Sequence, residues 1–117
     1  MHIHKQLTAV EAMPQNAGKG VSMKMLLSPD ESPNFAMRYF AIEAGGHMPF
    51  HTNSVEHEQF VLSGKASVKV GEKVFEATAG DVLLIPAGVP HSYETIGGEA
   101  YSFLCLVPKG EDCTMLV

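Results

Sequence analysis

Gly45-Gly46-His47-Met48-Pro49-Phe50-His51-Thr52-Asn53-Ser54-Val55-Glu56-His57-Glu58-Gln59-Phe60-Val61-Leu62-Ser63-Gly64 and Gly80-Asp81-Val82-Leu83-Leu84-Ile85-Pro86-Ala87-Gly88-Val89-Pro90-His91 are the two stretches that decide the fold. Each is bounded by Gly or by Pro and Gly, and each carries His beside short apolar runs of strand character. Residues two apart on a strand project to the same side, so an extended Phe50–Asn53 points His51 and Asn53 together and Thr52 away. His57 follows after an offset that permits a turn, and His91 is expected to arrive from a non-adjacent strand, as staves of a barrel contribute side chains to one interior. Three imidazoles so gathered can close on one divalent ion at about 2.0–2.2 Å per bond.

Working outward, helical periodicity is confined to Leu7–Met13, where Pro14 ends it. Everything after Gly20 reads as strand: Val21–Leu27, Phe35–Glu43, Glu56–Leu62, Ala66–Val70, Lys73–Ala77, Asp81–Ile85, His91–Thr95 and Ala100–Val107, each closed by Gly, Pro, Asn or Asp. Short strands at this spacing predict an all-β sandwich or barrel. Val70-Gly71-Glu72-Lys73 and Ile96-Gly97-Gly98-Glu99 both read as hairpins, with Gly supplying positive φ. Pro86 and Pro90 make a rigid turn of Ala87-Gly88-Val89, so His91 is expected to begin a strand.

With 117 residues and 45% hydrophobic content, the chain predicts one domain with a real core. The formal charge of -5 and the absence of a Lys/Arg run argue against a nucleic-acid partner, which needs a positive face. No stretch approaches the roughly eighteen apolar residues of a membrane helix, and the N-terminus lacks the apolar region of a secretory signal, so a cytoplasmic protein is expected. Cys105 and Cys113 are too few for a disulfide framework. Cys105 lies in an apolar run and reads as a small buried residue, Cys113, in a polar tail, as a free, partly exposed thiol. His2 and His4 have ligand-like spacing on an unanchored terminus and read as solvated.

At this point the two stretches resemble the motifs of a small single-domain cupin, an all-β double-stranded β-helix or jelly-roll barrel. That family's first motif runs Gly, five residues, His, one, His, three or four, Glu, six, Gly. Gly45, His51, Asn53, His57 and Gly64 fall on it, with Asn in place of the second His and His57 in the carboxylate slot. The second motif runs Gly, five residues, Pro, one, Gly, two, His, three, Asn; Gly80, Pro86, Gly88 and His91 match, and Thr95 replaces the final Asn. Glu56–Leu62 and Phe103–Lys109 are similar to bacterial cupins whose metal is held by four His. The resemblance covers roughly Pro33 to Lys109.

It implies a barrel over residues 31–110, an N-terminal strand or arm over 1–30 that crosses to a neighbouring subunit of a homodimer, and a C-terminal tail over 111–117. It also implies one divalent transition metal per chain (iron, manganese, nickel, copper or zinc) at His51, Asn53, His57 and His91. Asn53 is the departure that matters, because an amide oxygen is a harder and weaker donor than imidazole. Three roles stay open for it: direct ligation, holding a metal-bound water, or hydrogen bonding within a three-His site. Glu58 sits at the longer motif spacing but should alternate to the other face, so His57 is favoured. His47 lies about 13 Å from His51 along an extended strand, which suits a rim or surface position. Glu56 has two readings, a partner orienting an imidazole and a solvated turn residue.

Neutral ligands leave the full charge on a dication, which favours small anionic, chelating substrates, and an octahedral ion with four protein ligands keeps two open positions. Dioxygenase-like oxidoreductase chemistry is the leading expectation. The alternatives are a non-catalytic module that binds a small ligand or metal, and a metal-dependent isomerase or decarboxylase of a small carbonyl acid. Phe60, Leu62, Tyr93, Phe103 and Cys105 are the candidate cavity walls.

Overall fold

Strand β3, Phe35–Asn53, runs for 19 residues and joins two layers of antiparallel sheet in the computed structural model, which describes residues 2–110 and 112–117. Met1 and Glu111, the first residues of the expected arm and tail, lie outside the described residues. Ahead of β3 come a 3-10 turn at Leu7–Ala9 and strands β1, Met13–Gln15, and β2, Lys19–Leu27. After it come β4, His57–Ser63; β5, Lys65–Val70; β6, Lys73–Thr78; β7, Val82–Ile85; β8, His91–Ile96; β9, Tyr101–Pro108; and β10, Thr114–Leu116. The expected strands are present to within two residues at each end, except that β3 continues ten residues beyond Glu43.

The first half of β3 pairs with β2 on one side and β9 on the other, and β9 leads on to β4 and β7. The second half pairs with β8, which leads on to β5 and β6. The sheet thus curls into a half-barrel. Gly45 and Gly46 mark the change of partner: Gly45 has φ +79, and a Cβ on Gly46 would stand 2.5 Å from the Lys19 carbonyl oxygen. At the start of β5, Gly64 has φ +79, and a Cβ there would collide with the Ala100 carbonyl oxygen.

Period-two alternation fills the interior. His57, Gln59 and Val61 point inward from β4, His91, Tyr93 and Thr95 from β8, and Tyr101, Phe103, Cys105 and Val107 from β9. Phe103 stacks on Phe40 and on Tyr93, in each case with ring centroids 5.3 Å apart. The row of β4 that places Val61 in the core therefore places His57 and Gln59 in the same interior.

Val70–Lys73 closes a true hairpin between β5 and β6. Ile96–Glu99 does not, contrary to the expectation of a second hairpin: β8 pairs with β3 and β5, β9 with β3 and β4, and the Gly97-Gly98 turn passes from one layer to the other. Two positive-φ glycines mark a tight reversal; whether the flanking strands pair is decided by which neighbours their apolar faces find. Within the expected arm, β2 pairs with β3 of the same chain, and within the expected tail, β10 pairs with the end of β3. Among the described residues no helix is long and apolar enough to cross a membrane.

Substituting Gly64→Ala should lower unfolding stability by about 2–3 kcal/mol, because positive φ and collision add. Gly80→Ala, at φ +93 but with nothing within 4 Å of the added carbon, should cost only about 1 kcal/mol. Urea midpoints of the two variants check the difference.

Candidate functional site

His51, Asn53, His57 and His91 all line one cavity of about 110 Å³, together with Arg38, Phe40, Met48, Gln59, Tyr93, Phe103 and Cys105. All four of the first group are buried. His51 lies directly opposite His91 across the β3–β8 ladder, which corrects the expectation of a non-adjacent strand: the ten extra residues of β3 bring the two into one pair. Their ring centroids are 4.2 Å apart, and those of His57 and His91 are 6.2 Å apart.

Backbone carbonyls fix two of the rings. His51 Nδ1 lies 2.7 Å from Pro49 O and His91 Nδ1 lies 3.0 Å from Val89 O, so each ring donates from Nδ1, the tautomer in which a lone pair is left on Nε2. The Pro-flanked turn supplies the second of these acceptors. It is tied to the end of β3 by Gly88 N–H donating to Asn53 O at 2.8 Å. Burial pulls the His91 pKa down to about 4, and burial with the nearby Arg38 charge lowers that of His57. Both rings are neutral at pH 7, the form that offers lone pairs.

His57 differs from the other two. Its Nε2 is 3.0 Å from Asp112 Oδ2, to which a neutral ring donates its proton, and Arg38 Nη2 stands 3.4 Å from the same nitrogen. Asn53 Nδ2 donates to Thr114 Oγ1 at 2.9 Å, while Asn53 Oδ1 is buried with no hydrogen-bond partner among the described residues.

These side chains fit a divalent ion in part. Imidazoles sharing one ion with bonds of about 2.1 Å have ring centroids roughly 4.5–6.5 Å apart, near the separations found, and an orphaned amide oxygen is a hard donor awaiting a partner. As they stand, no group of three His, Cys, Asp or Glu among the described residues could hold a metal ion. His57 offers Nε2 once its bond to Asp112 is released.

Tyr93, Phe103 and Cys105 line the cavity as expected, but Phe60 and Leu62 do not. They are 47% and 40% exposed, because on β4 they alternate with inward His57, Gln59 and Val61. Glu58 is exposed for the same reason, and Glu56 and His47 are also exposed. Burial pushes the Cys105 thiol and the Tyr93 phenol up from their ordinary values, so both stay protonated at neutral pH, and Gln59 Nε2 donates to Tyr93 Oη at 2.7 Å. Neither residue is poised as a nucleophile or base.

Sequence reasoning missed Arg38, Gln59 and Asp112. Arg38 shares the parity of Ala36, Phe40 and Ile42 on a strand that the pattern did foresee, so a charge at an inward register position was the available signal. Asp112 carried no such signal, since only the folding of the chain end back onto β3 delivers it.

The folded pKa of His91 lies below its ordinary 6.5. Above that pH both folded and unfolded chains leave it neutral and its contribution to stability is fully present. As pH falls from 6.5 towards 4 the unfolded chain takes up a proton that the folded one refuses, and stability is lost. Metal-stripped protein should lose up to ~1.4 kcal/mol per pH unit for each such ring, and His91→Leu should flatten that slope, as read from urea midpoints between pH 7 and pH 4.5.

A family model described as "Cupin domain" matches residues 38–107. The chain is 30% identical over 76 residues to 1-methylthio-D-xylulose 5-phosphate methylsulfurylase of Rhodospirillum rubrum, covering 65% of this chain and 49% of that protein. It is 29% identical over 101 residues to acireductone dioxygenase 1 of Pectobacterium atrosepticum, covering 83% of this chain and 54% of that protein. The chain thus spans about half the length of these curated relatives. Among solved structures it is similar to the polyketide cyclase RemF of Streptomyces resistomycificus, with a TM-score of 0.89 and 26% identity over 100% of this chain and 86% of that one. With the fold, both motifs and the cavity in agreement, the chain belongs to the cupin domain family.

Proposed function

We propose that the cavity holds one divalent transition metal through His51, His57 and His91, with Asn53 as the fourth and weaker donor, and carries out dioxygenase-type oxidoreductase chemistry on a small anionic substrate. The observation that carries this reading is the set of three buried imidazoles, two of them oriented by backbone acceptors, beside an unpartnered amide oxygen. Such an ion, when bound, supplies Lewis-acid polarisation of a chelating substrate. The rest is the work of this chain's own residues. Phe40, Phe103, Met48 and Tyr93 line the cavity and exclude competing water. The Nδ1 hydrogen bonds of His51 and His91 hold ring orientation. At about 110 Å³ the cavity is well below the roughly 300–1,000 Å³ of drug-sized sites, which favours a substrate of a few non-hydrogen atoms.

The similarity to acireductone dioxygenase supports oxygen chemistry. A second reading is a metal-dependent isomerase or decarboxylase reaction on a small carbonyl acid, which needs no oxygen. Oxygen uptake with candidate substrates separates them, and ligand-induced stabilisation without turnover would instead indicate a binding module.

The proposal extends to a cytoplasmic homodimer. Phe60, Leu62, Val82 and Leu84 form an exposed apolar row on β4 and on β7, an edge strand, and both cysteines are free. Light scattering should give twice the chain mass at micromolar concentration, falling to the monomer in Val82→Glu/Leu84→Glu; a native monomer would overturn this part.

Elemental mass spectrometry on protein as purified should find near-stoichiometric iron, manganese, nickel, copper or zinc. His57→Ala should reduce it several-fold, Asn53→His should raise retention, and lowering the pH from 7 to below 4 should release the ion as His91 and then the metal-holding site take up protons. Native protein that stays empty under metal-replete expression and reconstitution would sink the metal reading.

A further inference from the structure

Arg38 is a cation set among apolar walls, and its surroundings leave it incompletely paired. It lines the cavity beside Phe40 and Phe103, with its guanidinium carbon 5.2 Å from the Phe40 ring centroid. Nη2 reaches Cys105 Sγ at 3.5 Å, a weak acceptor, and Nε has no partner among the described residues. A guanidinium so placed calls for a carboxylate or similar anion engaging its fork in two parallel hydrogen bonds of about 2.7–2.9 Å. Asp112 supplies only a remnant of that. Its Oδ2 lies 3.7 Å from Arg38 Nη1 and is shared with His57, and its Oδ1 is buried with no partner among the described residues.

The segment that carries Asp112 is lightly held. Every side chain of β10 is exposed, and the segment is tied down by the three-residue pairing with β3, by the Asn53–Thr114 bond, and by hydrogen bonds joining Cys113 to Ser54 and Val117 to Phe50. Strand ends attached by a few solvent-facing bonds open at low free-energy cost.

We propose that Arg38 is the specificity-determining anchor for a carboxylate-type anion on the ligand, and that Asp112 is an internal carboxylate competing for that anchor and for His57. The inference rests on the reading of the cavity as the ligand site. Entry of the anion exchanges one carboxylate for another at Arg38 and releases His57 Nε2 from Asp112 in the same event. The chain end thereby selects ligands that carry a negative charge, since a neutral isostere displaces Asp112 without compensating the guanidinium.

The test is an NMR titration of acetate, with acetamide as the uncharged isostere, against native protein, Asp112→Asn, and Asp112→Asn/Arg38→Lys. Both metal-loaded and chelator-stripped samples are used, and metal content is measured on each. If Asp112 occupies the anchor nine-tenths of the time, Asp112→Asn should bind acetate about tenfold more tightly. The Arg38→Lys double variant, which keeps the charge but loses the fork, should forfeit that gain, and acetamide should gain nothing. A folded Asp112→Asn protein that binds acetate no better than native, or gains equally for acetamide, would overturn the proposal even with metal in place. Should metal be absent from every sample while the acetate gain and its loss in the double variant persist, the metal reading fails and the assignment of Arg38 stands.

Discussion

A single strand has to belong to two layers at once, and the geometry of the site follows from where that strand changes partners. The first half of β3 carries Ala36, Arg38, Phe40 and Ile42 on one face beside β9, and the second half carries His51 and Asn53 beside β8 and β10. The change occurs at Gly45-Gly46, where Gly45 takes positive φ and the close approach of the Lys19 carbonyl leaves no room for a side chain on Gly46. Were the strand to slip by one residue, His51 and Asn53 would turn outward and Thr52 inward. The cavity is therefore fixed by the same register that fixes the core.

That coupling has an energetic consequence. Polar groups taken into an interior lined by Phe40, Phe103 and Tyr93 need partners, and the unmade hydrogen bonds gather at one place. Asn53 Oδ1, Gln59 Oε1, Arg38 Nε and Asp112 Oδ1 all lack partners among the described residues, and all four side chains are in or against the cavity. Deeper in the barrel the satisfied groups dominate, as with Thr95 Oγ1 donating to Gly46 O. Four of the five buried side-chain atoms without a partner among the described residues are thus in or against the cavity, the fifth being Tyr101 Oη in the core, and this concentration of unfilled bonding capacity supports the reading of the cavity as a ligand site.

Electrostatics sharpen that reading. Burial holds His57 and His91 neutral, so the imidazoles present lone pairs rather than charge. Among the described residues Arg38 is then the one Lys or Arg side chain lining the cavity, and the Asp112 carboxylate stands 3.7 Å from it. Two rings held neutral, an amide and a guanidinium faced, among the described residues, only by Asp112 at 3.7 Å make an interior that suits an anionic ligand with or without a cation beside it.

Spacing and punctuation in the chain alone determined β2 and β4 to β9, the first half of β3, the Pro-flanked turn ahead of His91, and the placing of His51, Asn53, His57 and His91 toward one interior, but not β1, β10 or the second half of β3. These depend on local rules: period-two alternation, positive φ at glycine, and the missing N–H of proline. Phe60 and Leu62 were open to the same rule, for they share the outward parity of Glu58 and not the inward parity of His57. Tertiary structure alone decided the rest. The Gly97-Gly98 turn changes layers instead of closing a hairpin because each flanking strand found neighbours elsewhere. Asp112 reaches His57 and Arg38 because the chain end returns to β3 across 55 and 74 positions of sequence respectively, the second being 112 − 38. Contacts of that separation are set by loop closure and global packing, and no window of residues around either partner records them.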